Sequence, residues 1–206
     1  MRSPATLAAT PLMLVALALG TAARGQSDEP DLLFPGGGGG GYGGPTFTVA
    51  SFMGEPCLFP GGGGAWQINR NVALGGMGGA LATDIKAPEV AQTNPDGEYF
   101  VKSGYGGVFL EFTVFPERLV HLRIRSLLAA GGLTYSLRNQ YSLEDAEGTA
   151  FFMFSNVVSV EVNLFKFVRA FAGVGYRAVE GGRLSGLRAS ELSGMETQFG
   201  LKFGVF

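Results

Sequence analysis

The sequence predicts an all-β protein, an eight-stranded antiparallel up-and-down transmembrane β-barrel, and three observations carry this prediction. Apolar and polar residues alternate with a period of two from about residue 46 to the end. The segments that alternate are joined by short and long connections in turn. Glycine is unusually frequent, at 34 of 206 residues, followed by 17 phenylalanines. With 46% hydrophobic residues the chain falls outside the disordered class, and its net charge of −2 gives no basic footprint for nucleic acid.

The N-terminal segment has the pattern of a secretory signal peptide, predicted at residues 1–23, with residue 25 as a second cleavage position. Arg2 precedes an apolar run from Leu12 to Gly20, and small residues follow. A membrane-spanning helix needs about 20 apolar residues, so this run is too short to be one. Residues 24–45 are predicted to be a flexible Gly/Pro-rich linker, and residues 46–206 the barrel.

Eight strands are predicted, and the fifth shows the alternation clearly. One face carries Val120, Leu122 and Ile124, and the other carries His121, Arg123 and Arg125. The eight predicted ranges are 46–53, 58–68, 71–82, 104–115, 119–135, 151–164, 167–178 and 192–206.

The connections also alternate along the chain. Tight turns are predicted at Asn69-Arg70, 116–118 and Phe165-Lys166, and long polar connections at 83–103, 136–150 and 179–191. Only the link at 54–57 departs from the scheme by being short. Since an even strand count places both termini at one end, the tight turns belong to that end and the long loops to the other. Outer-membrane barrels have this pattern, with short periplasmic turns and longer extracellular loops.

A soluble lipocalin-like barrel would show the same alternation, with its apolar face inside. Three features favour a membrane barrel: the polar face is sparsely polar, charges of both signs occupy one parity in mid-strand, and the chain stops on Phe206 at the end of a strand. In a narrow barrel these charges are expected to fill the lumen as a salt-bridge network. The predicted lumen charge network comprises Glu111, His121, Arg123, Arg125, Glu161, Arg169, Glu196 and Lys202.

The last strand, Met195–Phe206, and the alternation of turns resemble the small eight-stranded outer-membrane barrels of the OmpA and OmpX type. The segments 42–45, 61–66 and 69–76 are similar to uncharacterised Gly-rich barrel proteins of Gram-negative bacteria. This resemblance implies an outer-membrane protein with a structural or surface-interaction role. Its expected partners are outer-membrane lipid, lipopolysaccharide and the barrel-assembly machinery. Aromatic residues near the tight turns are expected to be membrane-interface anchors: Trp66, Phe115, Phe165 and Phe206.

No catalytic residue, cofactor site or metal site is predicted. His121 is the only histidine, and no serine lies two residues away on its face, although a lipid A-modifying barrel enzyme remains the alternative. Glu111 and Glu161 share one parity, but nothing in the sequence indicates a cleft between them. A narrow channel is the third hypothesis, because several lumen positions are glycine, among them Gly75, Gly79, Gly107, Gly131, Gly173 and Gly175.

Overall fold

A computed structural model describes residues 40–91, 98–137 and 148–206. All eight predicted strands are present in it, with shifted ends. The barrel strands are β1 (Gly41–Phe52), β2 (Glu55–Gln67), β3 (Val72–Ala80), β4 (Tyr99–Val114), β5 (Val120–Leu137), β6 (Gly148–Phe165), β7 (Val168–Gly181) and β8 (Gly194–Val205). The described connections also contain three two-residue strands: Ile85–Lys86, Arg183–Leu184 and Leu187–Arg188.

Each strand pairs with its neighbours in antiparallel fashion, and the pairing of the first strand with the last turns the meander into a closed barrel. β1 pairs with β8, from Gly41 opposite Val205 to Ala50 opposite Glu196. The sequential pairing continues from β3 to β4 without a gap, from Val72 opposite Phe112 to Ala80 opposite Gly104. The predicted eight-stranded up-and-down barrel is thereby confirmed.

The first hairpin differs from the prediction at both of its ends. β1 begins at Gly41, so residues 41–45 belong to the barrel and not to the predicted linker 24–45. These residues pair one by one with 62–66 of β2. Glycine forms the backbone hydrogen bonds of a strand like other residues, but without a side chain it gives no alternation by which the strand could be predicted. The predicted link at 54–57 is a two-residue turn, Met53-Gly54, with φ of 54° and 81°. Left-handed values at both positions match the twist of a tight hairpin.

The predicted signal peptide, 1–23, and residues 24–39 of the predicted linker lie outside the described residues, as does the connection 138–147. The tight turns follow β2, β4 and β6, and we call this side of the barrel the short-turn end. Residues 81–91 and 98, and the connection 182–193, lie at the opposite, long-loop end. The helices in the described part of the chain are single 3-10 turns, Glu89–Ala91 and Ala189–Leu192, and none is long enough to span a membrane.

The outer surface exposes large apolar side chains along most of the barrel wall. They come chiefly from β4 to β8 and include Val108, Leu110, Leu122, Ile124, Leu128, Phe152, Phe154, Val158, Val160, Val174, Phe199 and Phe203. On β1 to β3 glycine takes several of the outward positions, and Val49, Leu74 and Trp66 are the exposed large apolar residues of these strands. The face predicted to be apolar is therefore the outer one, as in a barrel that meets lipid.

The interior has two halves of different chemistry. Towards the short-turn end it is filled by charged and polar side chains from the wall. Towards the long-loop end it is mostly apolar, although Arg177 is buried there, and described residues of two connections fold into it. Leu81, Ile85 and Ala87 enter from the first connection, and Leu184, Leu187 and Leu192 from the second; all six are buried among apolar wall residues.

Inward-facing glycines make room for aromatic rings. A Cβ atom placed on Gly75 would lie 2.7 Å from Cζ of Phe109, and one on Gly131 would lie 2.4 Å from Cζ of Phe151. Both distances are far below a van der Waals contact. At these positions the space left by the absent side chain is thus taken by a ring and by other atoms of the neighbouring strands.

Candidate functional site: the lumen charge network

All eight residues of the predicted network point into the lumen. Seven of them are buried, and the eighth, Arg169, has a side chain that is only 11% exposed. They occupy inward-facing positions, every second residue, on β4, β5, β6, β7 and β8. The barrel thus brings together residues that are far apart in the sequence.

Two carboxylates organise the half nearest the short-turn end. Glu161 lies 3.2 Å from Nε2 of His121, 3.3 Å from Nη1 of Arg169 and 2.7 Å from Nζ of Lys202. Glu111 also contacts Lys202, at 2.5 Å. Lys202 therefore bridges the two carboxylates from β8.

Arg123 forms the second bridge between these carboxylates. Its Nη1 lies 3.3 Å from Glu111 and 3.5 Å from Glu161, and its Nη2 donates to Ser159. The guanidinium also stacks on the ring of Phe171, with its central carbon 4.1 Å from the ring centroid. Arg123 has no exposed surface, so charge, hydrogen bonding and stacking together compensate its burial.

The pairing of β4 with β5 is shifted by two residues from what the sequence suggests. A turn centred near residue 117 would place Glu111 directly opposite Arg123, but Glu111 pairs with Arg125 and Thr113 with Arg123. The connection between β4 and β5 is longer than predicted. Phe115 adopts a left-handed backbone conformation and leaves the ladder, and His121 pairs only with β6. The Glu111–Arg123 contact still forms, along the diagonal.

A second polar group lies nearer the middle of the barrel. Arg125 donates to the amide oxygen of Gln198, and Nε2 of Gln198 donates to Glu196 at 3.1 Å. Ser155 donates to the same carboxylate oxygen. Glu196 and Arg125 are thus joined through a neutral amide instead of directly.

Besides Gln198, Ser155 and Ser159, two further lumen residues were not predicted from the sequence. Tyr42, inside the predicted linker, donates its hydroxyl to Glu111 at 2.8 Å and lies under the ammonium of Lys202. Arg177 donates from Nε to the carbonyl of Leu192 at 2.9 Å and stacks on Phe59. The parity shared by Arg169 and Arg177 was the available signal for the second residue; no signal marked Tyr42 within its glycines.

His121 has no free access to a substrate. Its side chain is fully buried, Nε2 faces Glu161, and Nδ1 lies 3.3 Å from the carbonyl of Arg118. Among the described residues, no three His, Cys, Asp or Glu side chains form a group that could hold a metal ion.

The predicted interface anchors fall into two groups. Trp66, Phe115 and Phe165 are more than half exposed near the short-turn end. Phe206 is placed differently from the prediction, since its ring lies 3.8 Å from the guanidinium of Arg169 and stacks with Tyr42 at 5.8 Å. Its register with Lys202 turns it towards the lumen, where it covers the charge network at the short-turn end.

Solved structures share this architecture. The N-terminal β-barrel domain of Pseudomonas aeruginosa OprF matches with a TM-score of 0.54 and 8% identity, over 81% of this chain and 97% of that one. Neisserial surface protein A (NspA) matches with a TM-score of 0.58 and 12% identity, over 80% of this chain and 95% of that one. No protein-family model matches the sequence, and no curated protein does. At these identities the similarity shows the fold, which is that of small eight-stranded outer-membrane barrels.

Proposed function

We propose that this chain is an integral outer-membrane protein, exported by its signal peptide, whose barrel is a non-enzymatic, non-conducting scaffold for surface loops. The observation that carries the proposal is a closed wall that is apolar outside and packed inside. Such a wall has no edge to aggregate and no polar backbone to expose to lipid.

The filled interior is the reason to prefer a scaffold over a channel. Ion pairs and stacked rings occupy the half towards the short-turn end, and folded connections occupy the other. The third hypothesis, a narrow porin-like channel, is less favoured because buried ion pairs and aromatic rings fill the described lumen towards the short-turn end.

Fractionation with a heat-modifiability gel tests the membrane assignment. The protein should pellet with outer membrane and migrate differently before and after boiling, because a folded barrel resists detergent at room temperature. Recovery in the soluble periplasmic fraction would contradict the proposal.

Topology is tested separately. The short turns are expected in the periplasm and the long loops outside, in contact with lipopolysaccharide. An epitope inserted at Asp145 should be labelled on intact cells, whereas one at Glu117, in a tight turn, should be labelled only after permeabilisation. The reverse labelling pattern would mean that the barrel has the opposite orientation in the membrane.

A lipid A-modifying enzyme is the rival of the scaffold. In the proposed role His121 acts only as a partner of Glu161, so His121→Ala should leave the acyl pattern of lipid A unchanged relative to cells with the wild-type protein. A difference in that pattern would favour the enzyme.

A further inference from the structure

A row of polar side chains interrupts the apolar outer wall. Ser126 of β5 and Asn156 of β6 lie opposite each other at outward-facing positions, away from the ends of both strands. The Ser126 hydroxyl donates to the amide oxygen of Asn156 at 2.6 Å. Tyr176 of β7 lies opposite Asn156 on its other side and is 55% exposed. Three neighbouring strands thus place a serine, an asparagine and a tyrosine side by side on the outer face.

Apolar side chains surround this polar row. Its outward neighbours on the same strands include Ile124, Leu128, Phe154, Val158 and Val174, all of them exposed. In the membrane location proposed above, these residues face lipid tails, which offer no hydrogen-bond partner. A polar group at this depth can therefore be satisfied only by protein.

The Asn156 amide nitrogen is the group that the wall leaves unsatisfied. An asparagine carries two N–H donors besides its oxygen acceptor, and only the oxygen is engaged, by Ser126. Within the described parts of the chain, neither the Asn156 nitrogen nor the Tyr176 hydroxyl has a hydrogen-bond partner. Exposing such donors to hydrocarbon is unfavourable, so a protein partner that supplies acceptors would bind preferentially at this face.

The hydrogen-bonding groups of the row are complementary to themselves. Amide and hydroxyl groups both donate and accept, and the three side chains carry no charge that would repel an identical row. Beside a two-fold axis, the Asn156 nitrogen of each copy can donate to the amide oxygen or to a hydroxyl of the other, as in an isologous interface. We propose that the outer face of β5, β6 and β7 joins two copies of this chain in the membrane, with Asn156 at the centre of the contact. This contact rests on the proposed membrane location.

Energy transfer between labelled copies of the full chain tests for this dimer. With the buried thiol removed by Cys57→Ser, a dye is attached through Lys166→Cys in an exposed tight turn, and the protein is refolded into phosphatidylcholine vesicles. Transfer should exceed the value for randomly distributed proteins and decline along a monomer–dimer curve as lipid is added. Insertion without excess transfer would overturn the dimer alone, whereas failure to insert would contradict the proposed membrane location as well.

A matched pair of variants locates the contact. Asn156→Leu should weaken association about tenfold or more, because two symmetry-related sets of hydrogen bonds are lost at once. Leucine suits a lipid-facing position, so this variant should refold. Leu74→Ala, which also changes an exposed wall residue but on β3, should associate like the wild-type protein. Unchanged association of Asn156→Leu, or equal weakening by both variants, would overturn the proposal.

Photo-crosslinking in cells identifies the partner. A benzophenone side chain in place of Phe154, next to Asn156 on the outward face of β6, should capture a second copy of this chain and give a product of twice its mass. The same group in place of Trp66, on the far side of the barrel, should give no such product. Only lipid adducts at position 154, or a product with a different protein there, would overturn the proposal.

Discussion

The two halves of the barrel interior are built from the same strands but by opposite chemistry. On β5 the inward positions are apolar at Leu127 and Leu133 and become charged at Arg125 and Arg123. On β6 the inward residues are apolar at Phe151 and Met153 and polar at Ser155, Ser159 and Glu161, with Val157 between them as an exception. The strand period determines which side chains point inward, and it leaves open whether they are polar.

The connections explain the difference. At the long-loop end, two connections are long enough to fold back and supply apolar residues, so that half becomes a dry core. At the short-turn end the turns cannot reach inside, so long side chains from the wall must fill the space. Arginine, lysine and glutamate do this by satisfying one another. Packing is therefore expected to dominate one half and charge compensation the other.

The largest effect is expected from Glu161→Gln, in the charged half. The change keeps the shape but removes the carboxylate that Arg123, Arg169 and Lys202 share, and breaking a buried ion pair on one side costs about 3–5 kcal/mol. Urea unfolding of the refolded barrel in detergent measures this loss. Ser159→Ala, which removes only a neutral partner of Arg123, should cost much less; similar losses would mean that charge is not what holds this half together.

The next effect concerns the apolar half, where Leu192→Ala should destabilise the barrel by about 2–5 kcal/mol through lost burial and a cavity. The variant keeps the backbone carbonyl that accepts from Arg177, so the measured free energy of unfolding isolates packing. Met195→Ala, three residues on and exposed on the outer wall, is the matched control and should have a smaller effect. Equal losses would show that the folded connection contributes no core.

The contrast between the halves also explains what the sequence could and could not predict. Alternation identified all eight strands and the lumen parity of Glu111, Arg123 and Lys202, because a charged residue among apolar neighbours marks its face. It could not mark β1 between residues 41 and 45, where glycine and proline carry no alternation. Near the long-loop end both faces hold apolar residues, as at Phe151 and Phe152, so the folded-in connections left no periodic signal.

The register of the strand pairs also could not be predicted from the sequence. A hairpin's pairing follows from the length of its connection, and the left-handed Phe115 lengthened that connection beyond the predicted turn at 116–118. Contacts across the lumen, such as Lys202 with Glu111, depend on barrel closure and are invisible to any local pattern.

A smaller effect is expected at the glycines that receive aromatic rings. Gly131→Ala forces a Cβ to within 2.4 Å of both the Phe151 ring and the carbonyl oxygen of Gly104, and overpacking of this kind costs about 1–3 kcal/mol. Gly132 next to it faces outward with its nearest contact at 3.7 Å, so Gly132→Ala should be close to neutral. Combining Gly131→Ala with Phe151→Leu should recover part of the loss; a strictly additive double variant would show that ring and glycine do not share the space.

The smallest effect is expected for an ion pair of similar chemistry outside the lumen. Arg70 and Glu117 join two tight turns at 2.5 Å, but their side chains are 78% and 74% exposed. Water and salt screen such a pair, so a double-mutant cycle with Arg70→Gln and Glu117→Gln should give a coupling of about 0.2–1 kcal/mol that fades as salt is added. The corresponding cycle with Glu111→Gln and Arg123→Gln, whose contact is 3.3 Å long but buried, should give a larger coupling that salt barely changes. If the two couplings were equal and equally sensitive to salt, the charged half of the lumen would be open to water. Its ion pairs would then be screened like those on the protein surface.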